Sequence, residues 1–279
     1  MVQIIITADT GSGTKDQYLV ADAMFTFMQK HKGIQDIFLL GDNIYETGVT
    51  SVTDKQFKTK FEDPYKKIKK QFHLCLGNHD YGNTYFPNDN YKYQIDYSQH
   101  SKKWNLPSRY YNLIRSPCEF FFIDTNFDMM SESVIMKQFH DIKNMIQGSK
   151  QKWKIICGHH TWRCVGGHGN AEKRHEIFMQ DLCKEVDFDL YMCGHDHCKN
   201  IIKTKLPNDK TVHSLVIGTG GKKYDESMVF MKNLKKDNSD LLFHSPNLGF
   251  CELNATHNKL SLTCYNEECK EEFTYSLTR

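Results

Sequence analysis

Short apolar runs alternate along this chain with stretches whose apolar residues recur at helical spacing. Residues 3–7 are a β-branched run and predict a strand. Val20, Ala23, Met24, Phe27 and Met28 then follow the i, i+3, i+4, i+7, i+8 stripe of an amphipathic helix. Residues 36–40, 71–76, 120–124, 153–157, 188–193 and 212–217 are further apolar runs of strand length. Ile135, Phe139, Ile142 and Ile146 mark a second amphipathic helix, with Ser131 placed to cap it. A third helix is expected over about residues 171–185. Phe57, Phe61 and Ile68 fit a helical face that Pro64 interrupts. The tail, residues 249–263 and 272–278, alternates like paired strands. Residues 81–111 read as a surface excursion with aromatics packed beneath it, and residues 222–247 as a polar, Lys-rich loop. Strands alternating with helices indicate an α/β body. About eight to ten strands would over-fill one sheet, so two sheets are expected. One domain spanning residues 1–279 is the simplest account.

Composition narrows the function classes. Charged residues are 25% and the formal net charge is +2, so no strong field points to nucleic acid or a membrane surface. Lys far outnumbers Arg, which weakens a case for bidentate phosphate clamps. No apolar run is long enough to span a bilayer. Met1 is followed at once by the first strand, and Cys75, Cys157 and Cys193 lie inside apolar runs as free thiols. Both features favour a cytoplasmic, reducing compartment, with a secreted or lysosomal mature form as the alternative. In that alternative, Cys264 and Cys269 are the candidate disulfide pair.

The chemistry sits where the apolar runs stop. Asp9 follows the first strand, before a Gly11-Ser12-Gly13 turn that lacks the Gly-Lys-Ser/Thr ending of a phosphate loop. Gly41-Asp42-Asn43-Ile44-Tyr45 follows the second strand, and the two oxygens of one Asp can bridge two metal ions. Gly77-Asn78-His79-Asp80 follows the third. An Asn carbonyl serves hard cations beside carboxylates, and His79 on the same turn is better placed to face a substrate. His159 and His160 end another strand, and His168 stands nine residues past His159, flanked by glycines on a backbone expected to be mobile. His195 and His197 follow Gly194, whose turn lets them diverge towards two neighbouring metals.

These blocks, in this order, resemble the metallophosphoesterase pattern of Asp, GDxxY, GNHD, GH and GHxH. The likeness extends to purple acid phosphatases, most closely the small tartrate-resistant (type 5) animal kind, through residues 41–49 (GDNIYETGV), 104–107 (WNLP) and 193–197 (CGHDH). The resemblance implies a four-layer α-β-β-α sandwich of two mixed sheets. It implies one metal held by Asp9, Asp42, Tyr45 and His197, and a second held by Asp42, Asn78, His159 and His195. The first would be Fe(III), the second Fe(II), Zn or Mn, in line with hard anionic donors on one side and imidazoles on the other. His79 and His168 would orient the phosphate and protonate the leaving group while metal-activated hydroxide attacks phosphorus. The expected activity is that of an acid phosphatase on phosphorylated small molecules or phosphopeptides, releasing inorganic phosphate, in a monomer without nucleic-acid or membrane partners. A di-metal phosphodiesterase or nucleotide hydrolase of the same fold is the second reading, and a non-catalytic binding protein the third. Ala8 and Thr10 depart from the family's first block and point to an altered pocket wall. His160 replaces an aromatic and could compete with His159. The short segment between Asp124 and Ser131 points to an open site.

Overall fold

The computed structural model describes residues 1–83, 86–87, 89–207, 209–224, 231–235 and 237–279. In chain order the strands are β1 (Val2–Thr7), β2 (Asp36–Leu40), β3 (Phe72–Cys75), β4 (Gly82–Asn83), β5 (Phe86–Pro87), β6 (Trp104–Asn105), β7 (Tyr111–Arg115), β8 (Cys118–Phe122), β9 (Trp153–Cys157), β10 (Leu190–Cys193), β11 (Lys199–Lys205), β12 (Thr211–Ile217), β13 (Ser239–Ser245), β14 (Gly249–Ala255), β15 (Lys259–Asn266) and β16 (Glu271–Thr278). The helices are α1 (Lys15–Lys30), α2 (Lys55–Phe57), α3 (Tyr91–Asp96), α4 (Glu132–Gly148), α5 (Lys173–Glu185) and α6 (Lys232–Lys235).

Two seven-stranded sheets carry the fold, in the orders β16-β15-β14-β1-β2-β3-β6 and β13-β11-β12-β10-β9-β8-β7. Both are mixed. β1, β2, β3 and β6 run parallel, as do β8, β9, β10 and β12, while the other strands of the two sheets pair antiparallel. Period-two alternation distributes each strand's side chains between layers. Ile4, Ile6, Phe38 and Leu40 meet Phe120, Phe122, Ile155 and Met192 between the sheets. Phe38 sits at that joint, its ring 4.8 Å from Phe120 and 5.0 Å from Phe122. Ile5, Ile37 and Leu39 face outward onto Val20, Met24 and Phe27 of α1. Phe121, Ile156 and Tyr191 face the other way, onto Ile142, Ile146, Phe178 and Leu182 of α4 and α5. This is the expected α-β-β-α layering.

The differences from the sequence reading have local causes. The stretch expected as loop over residues 222–247 contains α6 and β13; residues 225–230 and 236 lie outside the described residues. β13 is an edge strand, and polar residues on either side confine its apolar run to Leu241, Leu242 and Phe243, short of the length that signals a strand. β11 escaped notice because lysines interrupt it, although Lys199 is buried and paired with Glu272. Only Lys55–Phe57 of the Phe57–Ile68 face is α-helical; a wider turn, Lys58–Glu62, follows. Ser131 holds the cap position of α4, but its hydroxyl bonds Ser133 instead of the backbone. Among the described aromatics of residues 81–111, Tyr91 packs on Tyr81, Tyr97 on Phe57 and Tyr111 on Phe122, as expected, while Tyr93 is exposed; Tyr85 lies outside the described residues. Cys264 faces Cys251 across the β14–β15 ladder, while the thiol of Cys269 donates to the Ala23 carbonyl, so the proposed Cys264–Cys269 pairing does not occur. No helix among the described residues is long and apolar enough to cross a membrane.

Candidate metal centre

Parallel neighbours end on the same edge of a sheet, so β1, β2, β3, β9 and β10 deliver their C-terminal loops to one place. Asp9, Asp42, Asn78, His159 and His195 each stand two or three residues past a strand end. The turns are tight. Asp9, Asp42 and His195 adopt φ of +57°, +50° and +69°, left-handed conformations that cost a non-glycine residue about 1–3 kcal/mol each. Hydrogen bonds hold them there: Asp9 N–H to the Gly41 carbonyl at 3.0 Å, and His195 N–H to Asp9 Oδ2 at 2.9 Å. Gly41, at φ +87°, has no room for a side chain, since a Cβ would lie 2.4 Å from His159 Nδ1.

All seven residues expected as metal ligands converge. In one lobe the Tyr45 hydroxyl donates to Asp9 Oδ1 at 2.8 Å and lies 3.2 Å from His197 Nε2, which is 3.6 Å from Asp9 Oδ1. In the other, Asn78 Oδ1 lies 3.2 Å from His159 Nε2 and 3.1 Å from His195 Nδ1. His159 Nε2 is 3.4 Å from Asp42 Oδ1. Asp9, Asp42 and His159 offer atoms all within 4.8 Å of one another and so join the lobes. The Leu40 carbonyl accepts from His159 Nδ1 at 2.8 Å, which orients the ring so that Nε2 is aimed inward.

This donor set fits cations. Asp9 and Asp42 are 0% and 2% exposed, and neither forms a Lys or Arg salt bridge among the described residues. Buried carboxylates without a compensating charge are strongly disfavoured. Burial opposes ionisation of Asp42, but His159, His79 and His195 outweigh it and hold the carboxyl well below the usual range. Burial also works against a charged His159, yet Asp42 and Asp9 lift it to about 10. A proton on His159 thus meets part of the buried negative charge, a role that metal ions fill in such carboxylate–imidazole sites.

The remaining histidines surround this core. His79 gives its backbone N–H to Asp42 Oδ1 at 3.0 Å, and its Nδ1 lies 2.5 Å from the Glu46 carbonyl. Its Nε2 stands 3.9 Å from Asp42 Oδ2, on a ring that is partly exposed. His168 is exposed, with its ring 4.1 Å from that of His195. The backbone around it is pinned, contrary to the expectation from its glycines. Asp196 accepts from the N–H groups of Gly167, His168 and Gly169 at 3.1, 3.1 and 3.4 Å, and from the Cys164 thiol at 3.0 Å. His160 turns to Thr125 Oγ1 at 2.8 Å and leaves the inward position to His159. Ala8 and Thr10 are buried and line no part of the cavity beside the site, so that wall owes nothing to their departure from the family pattern.

Two aspartates that hold the site together were missed in the sequence. Asp196 pins the His168 loop. Asp80 accepts from the N–H groups of Gly77, Asn43 and Ile44 and from the Gln94 amide, tying the Asp42 and Asn78 loops together. Each directly follows a candidate histidine in a tight turn, where free N–H groups demand an acceptor; that was the available signal. Lys222 also went unnoted; its Nζ sits 3.7 Å from the centroid of the Tyr45 ring. A cavity of about 340 Å³ opens from Asn78, His168 and His195 towards Phe127, Asp128, Glu172, Arg174 and His175. The segment after Asp124 forms one of its walls.

The family model described as calcineurin-like phosphoesterase matches residues 2–199. The chain is 28% identical over 288 residues to purple acid phosphatase 17 of Arabidopsis thaliana, covering 95% of this chain and 81% of that protein. It is 29% identical over 281 residues to tartrate-resistant acid phosphatase type 5 of Sus scrofa, with 90% and 77% covered. Among solved structures it resembles GAP50, the anchor in the inner membrane complex of Plasmodium, with a TM-score of 0.82 and 22% identity over 99% of this chain and 88% of that one. Purple acid phosphatase PPD1 from yellow lupin (Lupinus luteus) seeds gives a TM-score of 0.76 and 16% identity over 100% and 54%. At these identities the two structural likenesses speak for the fold.

Proposed function

Because the chain belongs to the calcineurin-like phosphoesterase family, we propose that this dimetal phosphoesterase hydrolyses phosphomonoesters and works best at acid pH. The observation that carries the reading is the convergence of Tyr45 with Asp9 and His197 in one lobe, beside the Asn78, His159 and His195 lobe. Asp9, Tyr45 and His197 would hold one cation, Asn78, His159 and His195 the other, and Asp42 both. A phenol ordinarily titrates near ~10, so a phenolate ligand suits a highly charged ion such as Fe(III), with Fe(II), Zn or Mn beside it. When bound, the pair supplies Lewis acidity to the phosphate and to the attacking water.

The chain's own groups do the rest. The Leu40 carbonyl fixes the tautomer of His159. With Nδ1 engaged by the Glu46 carbonyl, His79 has Nε2 free above Asp42 to orient the ester. His168, exposed on a pinned loop, is the group to hand a proton to the leaving oxygen. A histidine acid works below its pKa of roughly 6.5, which is the basis for the acid preference. GAP50 is described as an anchor, but a purely anchoring role would not require seven ligand-type side chains in one place.

The test is a visible absorption spectrum with elemental analysis, together with turnover of an aryl phosphomonoester and the matching diester. Expected are tyrosinate-to-iron absorption, two metals per chain and preference for the monoester below about pH 6.5. A colourless, zinc-only protein that prefers the diester overturns this reading in favour of a phosphodiesterase.

A further inference from the structure

The cavity beside the metal centre has an acceptor-rich far end. Asp128 and Glu172 are both exposed on its wall, close enough that their carboxyls share a hydrogen bond, and burial and Asp128's charge add to that bond in raising Glu172. Arg174 lines the same wall but is already committed: its guanidinium donates to the Phe127 and Met130 carbonyls at 2.7 and 3.2 Å and to Glu132 at 3.2 Å.

A third acceptor follows from counting protons. His175 lines the cavity, is 4% exposed, and its Nδ1 has no hydrogen-bond partner among the described residues. The single proton of the Tyr191 hydroxyl goes to the His160 carbonyl at 2.6 Å. Towards His175 Nε2, 3.4 Å away, Tyr191 therefore presents a lone pair, and Nε2 must carry the ring proton. Burial pushes the His175 pKa down to about 3, so the ring is neutral and Nδ1 is bare. A buried acceptor with no donor is costly unless a ligand fills it. Glu172 holds the N-cap position of α5 and His175 lies three residues on, while the ring of Phe127, beside Asp128, lies 5.5 Å from the His175 ring and tilted to it.

We propose that this cavity receives the alcohol part of the substrate, and that this part carries a protonated primary amine which donates to Asp128, Glu172 and His175 Nδ1. The inference rests on the phosphomonoesterase reading and names its substrate class: ω-aminoalkyl phosphates and related amine-bearing phosphomonoesters. The ammonium adds a charge-assisted hydrogen bond that an alkyl tail cannot make.

The test uses the protein as purified. The kcat/KM for 4-aminobutyl phosphate is compared with that for pentyl phosphate, and binding of the two corresponding non-hydrolysable phosphonates is measured by calorimetry. The aminoalkyl compound should be favoured about tenfold in both measurements. Asp128→Asn with Glu172→Gln should erase that preference, bringing 4-aminobutyl phosphate to the level of pentyl phosphate in both measurements, and His175→Phe should reduce it. Equal kcat/KM and equal affinity for the two tails, or a preference that survives the double variant, overturns the proposal. If no monoester is hydrolysed but the phosphonate preference appears and follows the variants, the phosphomonoesterase reading fails and the amine site stands.

Discussion

Replacing Asp196 by Asn tests whether the pinned loop is what makes His168 useful. The carboxylate is fully buried and collects the N–H groups of Gly167, His168 and Gly169, the Cys164 thiol and the Tyr224 hydroxyl. Asn keeps the shape, removes the charge and turns one acceptor into an NH2 that faces N–H groups. About two charge-assisted hydrogen bonds are lost, at about 1.5–3 kcal/mol each, so the expected destabilisation is about 3–6 kcal/mol. For a chain of this size that corresponds to a fall in Tm on the order of 10 °C. Loosening the loop lets the His168 ring leave the face of His195, so kcat should drop by roughly tenfold to a hundredfold with KM little changed. Metal content should stay at the wild-type level. The decisive assay is a double-mutant cycle. If Asp196 acts through His168, Asp196→Asn lowers kcat in the wild-type background and has no further effect in His168→Ala. An equal drop in both backgrounds, or a loss of metal that accounts for the drop, refutes the reasoning.

Asp42→Ala should abolish metal binding and turnover together, read by elemental analysis and by hydrolysis of an aryl phosphate, because this side chain stands between Asp9 of one lobe and His159 of the other. Stripping the metals with a chelator should lower Tm as well as activity, since buried Asp9 and Asp42 lose the charge that balances them. Stability should fall on acidification from pH 6.5 towards pH 4. Burial, with Lys203 nearby, lowers His213 from 6.5 to about 4, so over that window the unfolded chain binds a proton that the folded one refuses. The loss attributable to this group at pH 5 is on the order of 2 kcal/mol. Urea unfolding at pH 7 and pH 5 measures it, and His213→Gln should flatten the difference. Phe38→Ala, at the joint between the sheets, should cost about 3–5 kcal/mol in urea unfolding; a loss below about 1 kcal/mol would contradict the packing assigned to it.

Much of this protein is legible in one dimension because its informative features are local. A strand two layers deep must be apolar on both faces, so β1, β2, β3, β9 and β10 announce themselves as short apolar runs. A metal ligand at a strand end must interrupt such a run with a Gly or a turn and a particular side chain, so Asp9, Asp42, Asn78, His159 and His195 stand out by type and position. β11 and β13 carry a weaker signature: lysines break up β11, an inner strand, and the edge strand β13 can be polar on its exposed side.

Other features exist only once distant segments meet. Nothing local distinguishes the inward His159 from its neighbour His160; the Leu40 carbonyl on one side and the Thr125 hydroxyl on the other decide which ring turns inward. Gly166, Gly167 and Gly169 suggest mobility by themselves, and only the arrival of Asp196 from another loop removes it. The bare nitrogen of His175 depends on where the proton of Tyr191 goes, sixteen residues further along the chain. Side-chain type is written residue by residue, whereas hydrogen-bond partnership and charge balance are properties of pairs that the folded chain alone brings within reach.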